Sequence, residues 1–480
     1  LSGNPINDST WSDYPAIAIT KNELFITMNL LKNGLPWQTG FVQTVIWQLD
    51  KNSGYQGDSI INTQLWSGIS YDSTKIRNLH PVTGGSTPYG PNEYFVSNRN
   101  FTYLSDSIFI VEITDTINSP SAVMKIKLGH TSPMYGVPPF ARQANGHEFD
   151  TNDGRVLGAF LENGQIQFVS NTIDTSTGNA AVYHGFISGL DSSVKVSGNI
   201  LGDTLLDLGY PNISYSGQNN CDNEAIITVN HTAPTVFAGF SAIYYSNVGN
   251  YSRIMKIKEG DNIVDKISGT YERWGDYSGS QRKYNAPGTV WAAGYYGDSL
   301  KRNGTWIGEL KSVDSTLMFM SMSTSDPSGF GLNDGFATAS VSNGNDPLSF
   351  LWNDPAKQSG TTASGLGDGI YTVIVSDASK CTLTDTIKLT QPIPEAGLFP
   401  NPPVADQIYV NFTMEKDNEI EINIYGMGGN HVKSLTKTIA REGRNIFSFS
   451  TGPLTAGGYI VIISSGKNTI LTEKFIKVIR

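Results

Sequence analysis

The sequence predicts an all-β protein: a β-propeller-like N-terminal domain of about five blades, then two immunoglobulin-like β-sandwich modules. Three observations predict it. Short runs of alternating apolar and polar residues recur along the whole chain, with no sustained helical period. Turn formers separate them, for 50 of the 480 residues are glycine and 22 are proline. In the first two thirds, segments of similar character return about every 65 residues, a period that suits blades.

The repeat occupies residues 1–322. Its units begin near Tyr14-Pro15-Ala16-Ile17, His80-Pro81-Val82, Gly146-His147-Glu148-Phe149, Tyr210-Pro211-Asn212-Ile213 and Asp276-Tyr277-Ser278. Second strands are expected at 24–28, 93–97, 156–161, 225–229 and 289–293, and outgoing strands at 45–49, 109–113, 183–187, 254–257 and 306–310. Trp11-Ser12-Asp13-Tyr14 echoes Trp274-Gly275-Asp276-Tyr277, in the units that become neighbours when a ring closes. A solenoid would call for shorter, more uniform repeats; two stacked sandwiches remain the alternative.

Composition narrows the function. A net charge of −10 with 16% charged residues argues against a general nucleic-acid or anionic-membrane binder. No apolar run approaches the roughly 18 residues that span a bilayer. Leu1 is not an initiator methionine, so a trimmed chain whose export signal has gone is expected. Cys221 and Cys381 fall in different predicted domains and lack any Cys-x-x-Cys context, so two isolated thiols are expected.

Residues 326–391 form a separate module. Strands are expected at 334–341, 347–352, 366–373 and 383–389, with Trp352 buried and Gly369-Ile370-Tyr371-Thr372-Val373 as a core strand. The Trp and the Gly-x-Tyr-x-Val strand resemble the SprB-type repeat of gliding-motility adhesins, an immunoglobulin-like sandwich. Ser379-Lys380 stands where that repeat more often has Asn-Gly.

The last module, residues 396–480, follows the joint Gln391-Pro392-Ile393-Pro394. It opens on Leu398-Phe399-Pro400-Asn401-Pro402. Alternating strands are expected at 407–412, 419–425, 444–450, 458–464 and 472–478. Ile420, Ile422 and Ile424 fall on one face, as in a half-buried strand. Tyr425, Gly429, Tyr459, Lys477 and Arg480 complete an ordered set. This set resembles the type A C-terminal sorting domain of type IX secretion cargo in Bacteroidota. The resemblance implies export to the cell surface or beyond. It also implies recognition of Leu398, Phe399, Pro400, Asn401, Pro402, Tyr425, Gly429, Tyr459, Lys477 and Arg480 by the outer-membrane translocon, its shuttle and a sortase-like peptidase.

Candidate chemistry in the repeat domain centres on the blade mouths, where innermost strands converge. Asp13, Glu148 and Asp276 are the carboxylates of a possible acid/base set, beside His80, His147 and Arg273. An inverting glycosidase needs two carboxyl groups with room for a water between them. The same residues serve equally well as strand caps and ion-pair partners. Asp150, Asn152 and Asp153 precede Gly154 as oxygen ligands of a calcium loop do, but the later acidic ligand is missing. A hairpin turn explains them as well. No other cofactor is indicated: metalloprotease, nucleophile-elbow and phosphate-loop motifs are all absent.

Asp followed by Ser or Thr and then an aliphatic residue or Thr recurs at Ser9, Ser59, Ser73, Ser107, Thr116, Thr204, Ser299, Ser315 and Thr386. This matches the O-glycosylation pattern of exported Bacteroidota proteins. Asp-Ser and Asp-Thr are also good turn-to-strand junctions. The expectation is an exported binding or adhesion domain for a glycan or protein, with a secreted glycoside hydrolase as the alternative.

Overall fold

Alternation along each strand decides which face it buries. In Glu23–Lys32, Phe25, Thr27 and Asn29 point to one side, and Leu24, Ile26 and Met28 to the other. A computed structural model describes residues 6, 8–58, 61–144, 146–218, 221–247, 249–267, 269, 271–276, 278–312, 318–329, 331–344, 346–378, 381–392, 396–404 and 406–478. Among them the elements are strands apart from one short helix, Lys51–Gln56, capped by the Asp50 carboxylate. The chain divides into two compact units, 1–317 and 318–480.

The first unit holds five antiparallel sheets in chain order, each a blade. Blade 1 runs Thr10–Ile19, Glu23–Lys32, Phe41–Asp50 and Thr63–Trp66. Blade 2 runs His80–Pro81, Glu93–Asn98, Ser105–Ile113 and Met124–Tyr135. Blade 3 is Val156–Glu162, Gln165–Ile173, Ala180–Ser188 and Lys195–Leu201, with Thr83–Gly84 added at its inner edge. Blade 4 is Asp207–Tyr215, Ala225–Ala233, Val236–Tyr245 and Met255–Lys258. Blade 5 has three strands, Gly279–Arg282, Thr289–Gly297 and Asn303–Lys311.

Apolar clusters join consecutive blades. Phe25 and Ile46 meet Phe95 and Phe109, and Tyr94 and Ile108 meet Phe168 and Tyr183. Phe160 and Val182 meet Leu208 and Ile227, and Ile226 and Ala242 meet Val290. Each fully buried aromatic or aliphatic side chain stabilises such a junction by about 1.5–3 kcal/mol.

The repeat has a backbone signature. A residue of positive φ stands before or at the bulge of every innermost strand: Tyr14 (53°) and Tyr210 (49°) at bulges, and Asn78 (55°), Asn152 (65°) and Gly275 (65°) ahead of the strand. For a non-glycine residue this conformation is strained, and it persists only when neighbours enforce it. The neighbour is a buried asparagine on the second strand of the preceding blade. Asn29 Nδ2 donates to Asn78 Oδ1 at 2.6 Å, and Asn98 Nδ2 to the Gly154 carbonyl at 2.6 Å. Asn171 Nδ2 donates to the Thr151 carbonyl while its Oδ1 accepts from the Tyr210 N–H at 2.8 Å. Asn230 Nδ2 donates to Ser278 Oγ at 2.9 Å. The second strand of blade 5, Thr289–Gly297, contains no asparagine. No apolar cluster among the described residues joins blade 5 to blade 1.

Three sequence readings need correction. Gly146-His147-Glu148-Phe149 does not begin a blade. Glu148–Asp150 pairs in parallel with Tyr271–Arg273 and antiparallel with Ala141–Arg142, in a small sheet inserted before blade 3. The segment 156–161, read as a second strand, is therefore the innermost one. The Trp-x-Asp-Tyr echo is no structural equivalence either. Trp11 is 44% exposed and Trp274 1%, and the left-handed residue is the Tyr of one motif and the Gly of the other. Tyr277 lies outside the described residues. Lastly, Cys221 and Cys381 are not isolated thiols; both are disulfide-bonded.

In the second unit, Phe319–Ser325, Gly335–Ser342 and Thr362–Leu366 form one sheet, and Ser349–Trp352, Gly369–Ser376 and Thr382–Leu389 the other. Trp352 is 1% exposed between them, its Nε1 donating to the Gly360 carbonyl. Phe319–Ser325 starts ahead of the boundary read from sequence, because Met320 and Met322 face this core. The terminal module also has two sheets. One is Gly397–Val404, Gln407–Met414 and Gly443–Ser450; the other is His431–Ala440, Asn418–Gly426, Gly457–Ser465 and Asn468–Lys477. Ile408, Val410, Ile420, Ile422, Ile424, Val461 and Ile463 fill the space between.

Candidate functional site

Five innermost strands bring their entries to one place. A cavity of about 210 Å³ is lined by Tyr14–Ile17, His80, Leu157, Tyr210–Asn212, Gly275, Asp276 and Ser278, so every blade contributes. Of the left-handed residues, Tyr14, Tyr210 and Gly275 line it. Burial pushes the Tyr14 phenol up to about 12 against the pull of the Arg155 guanidinium. Burial, and then the Asp276 carboxylate, raise Tyr210. Burial lowers the His80 imidazole to about 4, keeping it neutral.

Arginines surround this mouth, each matched by an acid or an aromatic ring. Arg155 lies 4.4 Å over the Tyr14 ring and donates from Nε and Nη2 to Asp153, at 2.9 and 2.7 Å. Arg77 lies 4.4 Å over Phe41 and 4.7 Å over Phe101, and Nη2 donates to the Trp37 carbonyl. Arg273 is ion-paired with Asp276, which raises its pKa. Sequence reasoning missed Arg77, Arg155 and Trp37; only the Tyr-Pro pairs at the unit starts flagged the place.

Of the three predicted acid/base carboxylates, one lines the cavity. Asp276 lines the cavity but is held by Arg273. Asp13 sits at the bulge of the first strand, half-buried, where its charge acts on Arg77. Glu148 is exposed on the inserted sheet and does not line the cavity. Carboxyls that burial does raise lie elsewhere, between blades: Glu93, Glu23 and Glu162.

The calcium candidates Asp150, Asn152 and Asp153 shape a turn. Asp150 Oδ1 accepts from the Asn152 N–H, and both Asp153 oxygens are taken by Arg155, with Asn100 adding a third bond. An arginine already neutralises this carboxylate. A second potential cation group is His147, Asp265 and Glu272, with ligand atoms within 4.8 Å of one another.

A further cavity of about 250 Å³ adjoins the mouth. Glu272, Arg273, Trp274, Tyr295, Asn303 and Thr305 line it, and Gly275, Asp276 and Ser278 border both cavities.

Of the glycosylation candidates, Ser9, Ser73, Thr204, Ser299 and Thr386 are exposed, and Ser107 and Thr116 half-buried. Ser59 and Ser315 lie outside the described residues. The preceding aspartates work as turn formers: Asp203 Oδ1 accepts from Leu205 and Leu206 N–H, and Asp298 Oδ1 from Leu300 and Arg302.

In the terminal module the predicted recognition residues mostly hold the sandwich together. Phe399 is 5% exposed and stacks on Tyr409; Tyr459 is 7% exposed, stacks on Phe475 and donates to the Thr455 carbonyl. Leu398 packs at the core edge and Pro400 is half-buried. Asn401 ties the first strand to the last, donating to the Lys474 carbonyl at 2.8 Å and accepting from Ile476 N–H. Lys477 pairs with Asp406, Tyr425 meets His431 edge-on, and Gly429 turns with φ 83°. The side chain of Pro402 and all of Arg480 lie outside the described residues.

Residues 397–478 match the family described as a secretion system C-terminal sorting domain. The chain is type IX secretion cargo. As such cargo it is delivered to the cell surface or the extracellular space. No curated protein matches it. Among solved structures, the cargo is similar to Trypanosoma rangeli sialidase in complex with sialic acid, at TM-score 0.34 and 9% identity over 98% of this chain and 85% of that one. It is also similar to a glycoside hydrolase, at TM-score 0.29 and 10% identity over 66% of this chain and 92% of that one. A third is the tetra-tandem repeat in the extending region of a large adhesion protein, at TM-score 0.16 and 13% identity over 80% and 98%. Likenesses this distant say nothing of activity.

Proposed function

We propose that the passenger, residues 1–322, is a binding domain for a glycan or a surface protein, and that the whole chain serves adhesion outside a Bacteroidota cell. One observation carries this reading: the mouth carboxylates Asp153 and Asp276 are each matched to an arginine. A general acid and a general base need carboxyls free to exchange protons with substrate and water. A charge-balanced mouth rich in Tyr and Trp suits hydrogen bonding and stacking instead. Such binding requires no cofactor.

In this reading the middle module is a spacer of the SprB type. The terminal module is read by the translocon, its shuttle and the sortase-like peptidase through the surface that Leu398, Phe399, Asn401, Tyr459 and Lys477 hold in shape. The exposed Ser9, Ser73, Thr204, Ser299 and Thr386 are the sites open to O-glycosylation.

Incubating the intact chain with immobilised polysaccharides tests the proposal. Retention without new reducing ends is expected. Turnover abolished by both Asp13→Asn and Asp276→Asn would replace it with the glycoside hydrolase reading.

A further inference from the structure

Trp274, which lines the cavity of about 250 Å³ beside the mouth, carries a buried donor with no partner among the described residues. Trp274 is 1% exposed. Its ring stacks on Phe149 at 5.2 Å, and Tyr295 meets Phe149 edge-on at 5.8 Å. The six-membered edge of the indole lies against blade 4. A Cβ on Gly209 would come within 2.6 Å of Cζ3 and 3.1 Å of Cε3, so only glycine admits the ring there. Nε1 is on the opposite edge, is buried, and has no hydrogen-bond partner among the described residues. Buried N–H groups without acceptors are rare, and one on a residue that lines a cavity invites an acceptor supplied from outside.

The remaining lining says what kind of acceptor. Two cations, Lys266 and Arg273, face two carboxylates, Glu272 and Asp276. Arg273 is committed to Asp276, and Glu272 Oε1 accepts from the Lys266 and Ile267 N–H groups at 2.7 and 2.8 Å. The lining thus carries two positive and two negative side chains, so its formal charge sums to zero. Asn303 and Thr305 stand exposed at the rim, where they offer amide and hydroxyl groups. An aromatic wall, one buried N–H and a neutral polar rim fit a ring with apolar C–H faces and equatorial oxygens.

We propose that this cavity binds one neutral pyranose ring, with Trp274 Nε1 donating to a ring or hydroxyl oxygen and Asn303 and Thr305 holding the opposite edge. The proposal rests on the binding reading above and gives it a ligand class and a place. The site belongs to the loop 264–278 and blade 5, to one side of the central cavity.

Saturation-transfer NMR on the intact chain tests it, with the methyl glycosides of glucose, galactose, mannose and fucose as probes. At least one should receive saturation. Trp274→Phe, which keeps a ring on Phe149 and deletes the N–H, should weaken binding about fivefold, as expected for one neutral hydrogen bond. Thr305→Trp changes an exposed rim residue and should close the cavity and abolish binding even if Trp274→Phe does not fold. Transfer to none of the four probes, or undiminished transfer in Thr305→Trp, overturns the site. Polysaccharide retention unchanged in Thr305→Trp would reject this site and leave the binding reading standing. No retention of the wild-type chain would end both.

Discussion

Glu93 shows how far burial alone can set a residue's chemistry. It is 0% exposed on the second strand of blade 2, its Oε1 accepting from the Val82 N–H at 3.2 Å. Among the described residues no cation pairs with it, and burial raises its pKa well above the usual carboxylate range. The fold thus favours the neutral carboxyl more than the unfolded chain does. A raised folded pKa contributes stability that is fully present below the unfolded value and is lost as pH rises through the folded one. Glu93→Gln is therefore expected to raise the melting temperature at pH 8, by a margin that shrinks toward zero below about pH 4. Equal gains at both pH values would show that the charge is not the cause. His184 works in the opposite sense. Burial lowers it to about 3, so its contribution is present above about pH 6.5 and is lost on acidification.

Among the elements, the left-handed entries and their asparagines form the repeat's real unit. Asn171 donates to the Thr151 and Asp153 carbonyls and accepts from the Tyr210 N–H, all inside the blade 3–blade 4 junction. Removing it leaves three buried backbone groups without partners and releases the strain at Tyr210. Asn171→Ala is expected to cost about 2–4 kcal/mol, from the penalty for unsatisfied buried groups. Chemical denaturation of the passenger measures this. A loss under 1 kcal/mol would mean that the apolar clusters hold the junction unaided. The sequence period of about 65 residues located the unit starts, and Tyr14 and Tyr210 were visible as Tyr-Pro pairs. The third start was misplaced because the inserted strand Glu148–Asp150 supplies an alternating pattern of its own. In the terminal module, Gly397–Val404 was singled out as a motif but not as a strand, because its three prolines suit only an edge strand, the position it takes.

For the whole molecule, the sorting domain is a portable sandwich whose first and last strands are clipped together by Asn401. Residues 392–480 behind a signal peptide and a fluorescent protein should carry the fusion outside the cell. Asn401→Ala should reduce the exported fraction several-fold, since losing two strand-to-strand hydrogen bonds weakens the fold by about 1–2 kcal/mol. Retention of the unaltered fusion in the periplasm of a strain with a working type IX system would refute the first expectation. Undiminished export of the variant would refute the second.

Sequence by itself determined the class of every module and the route of the protein. Strand alternation is local, since side chains two residues apart share a face, and Leu-Phe-Pro-Asn-Pro through Tyr459 is an ordered text that needs no coordinates to be read. Only the tertiary structure decided which side chains meet at the mouth. Asp276 meets Arg273 only three residues away, a pairing that sequence allowed but did not require. Arg155 reaches Tyr14, Asn29 reaches Asn78 and Trp274 reaches Phe149 across gaps set by the order of the blades. Those contacts follow from which sheet packs beside which, and no period in the chain records that. The same residue types could have left Asp153 and Asp276 unpaired; the packing set each against an arginine.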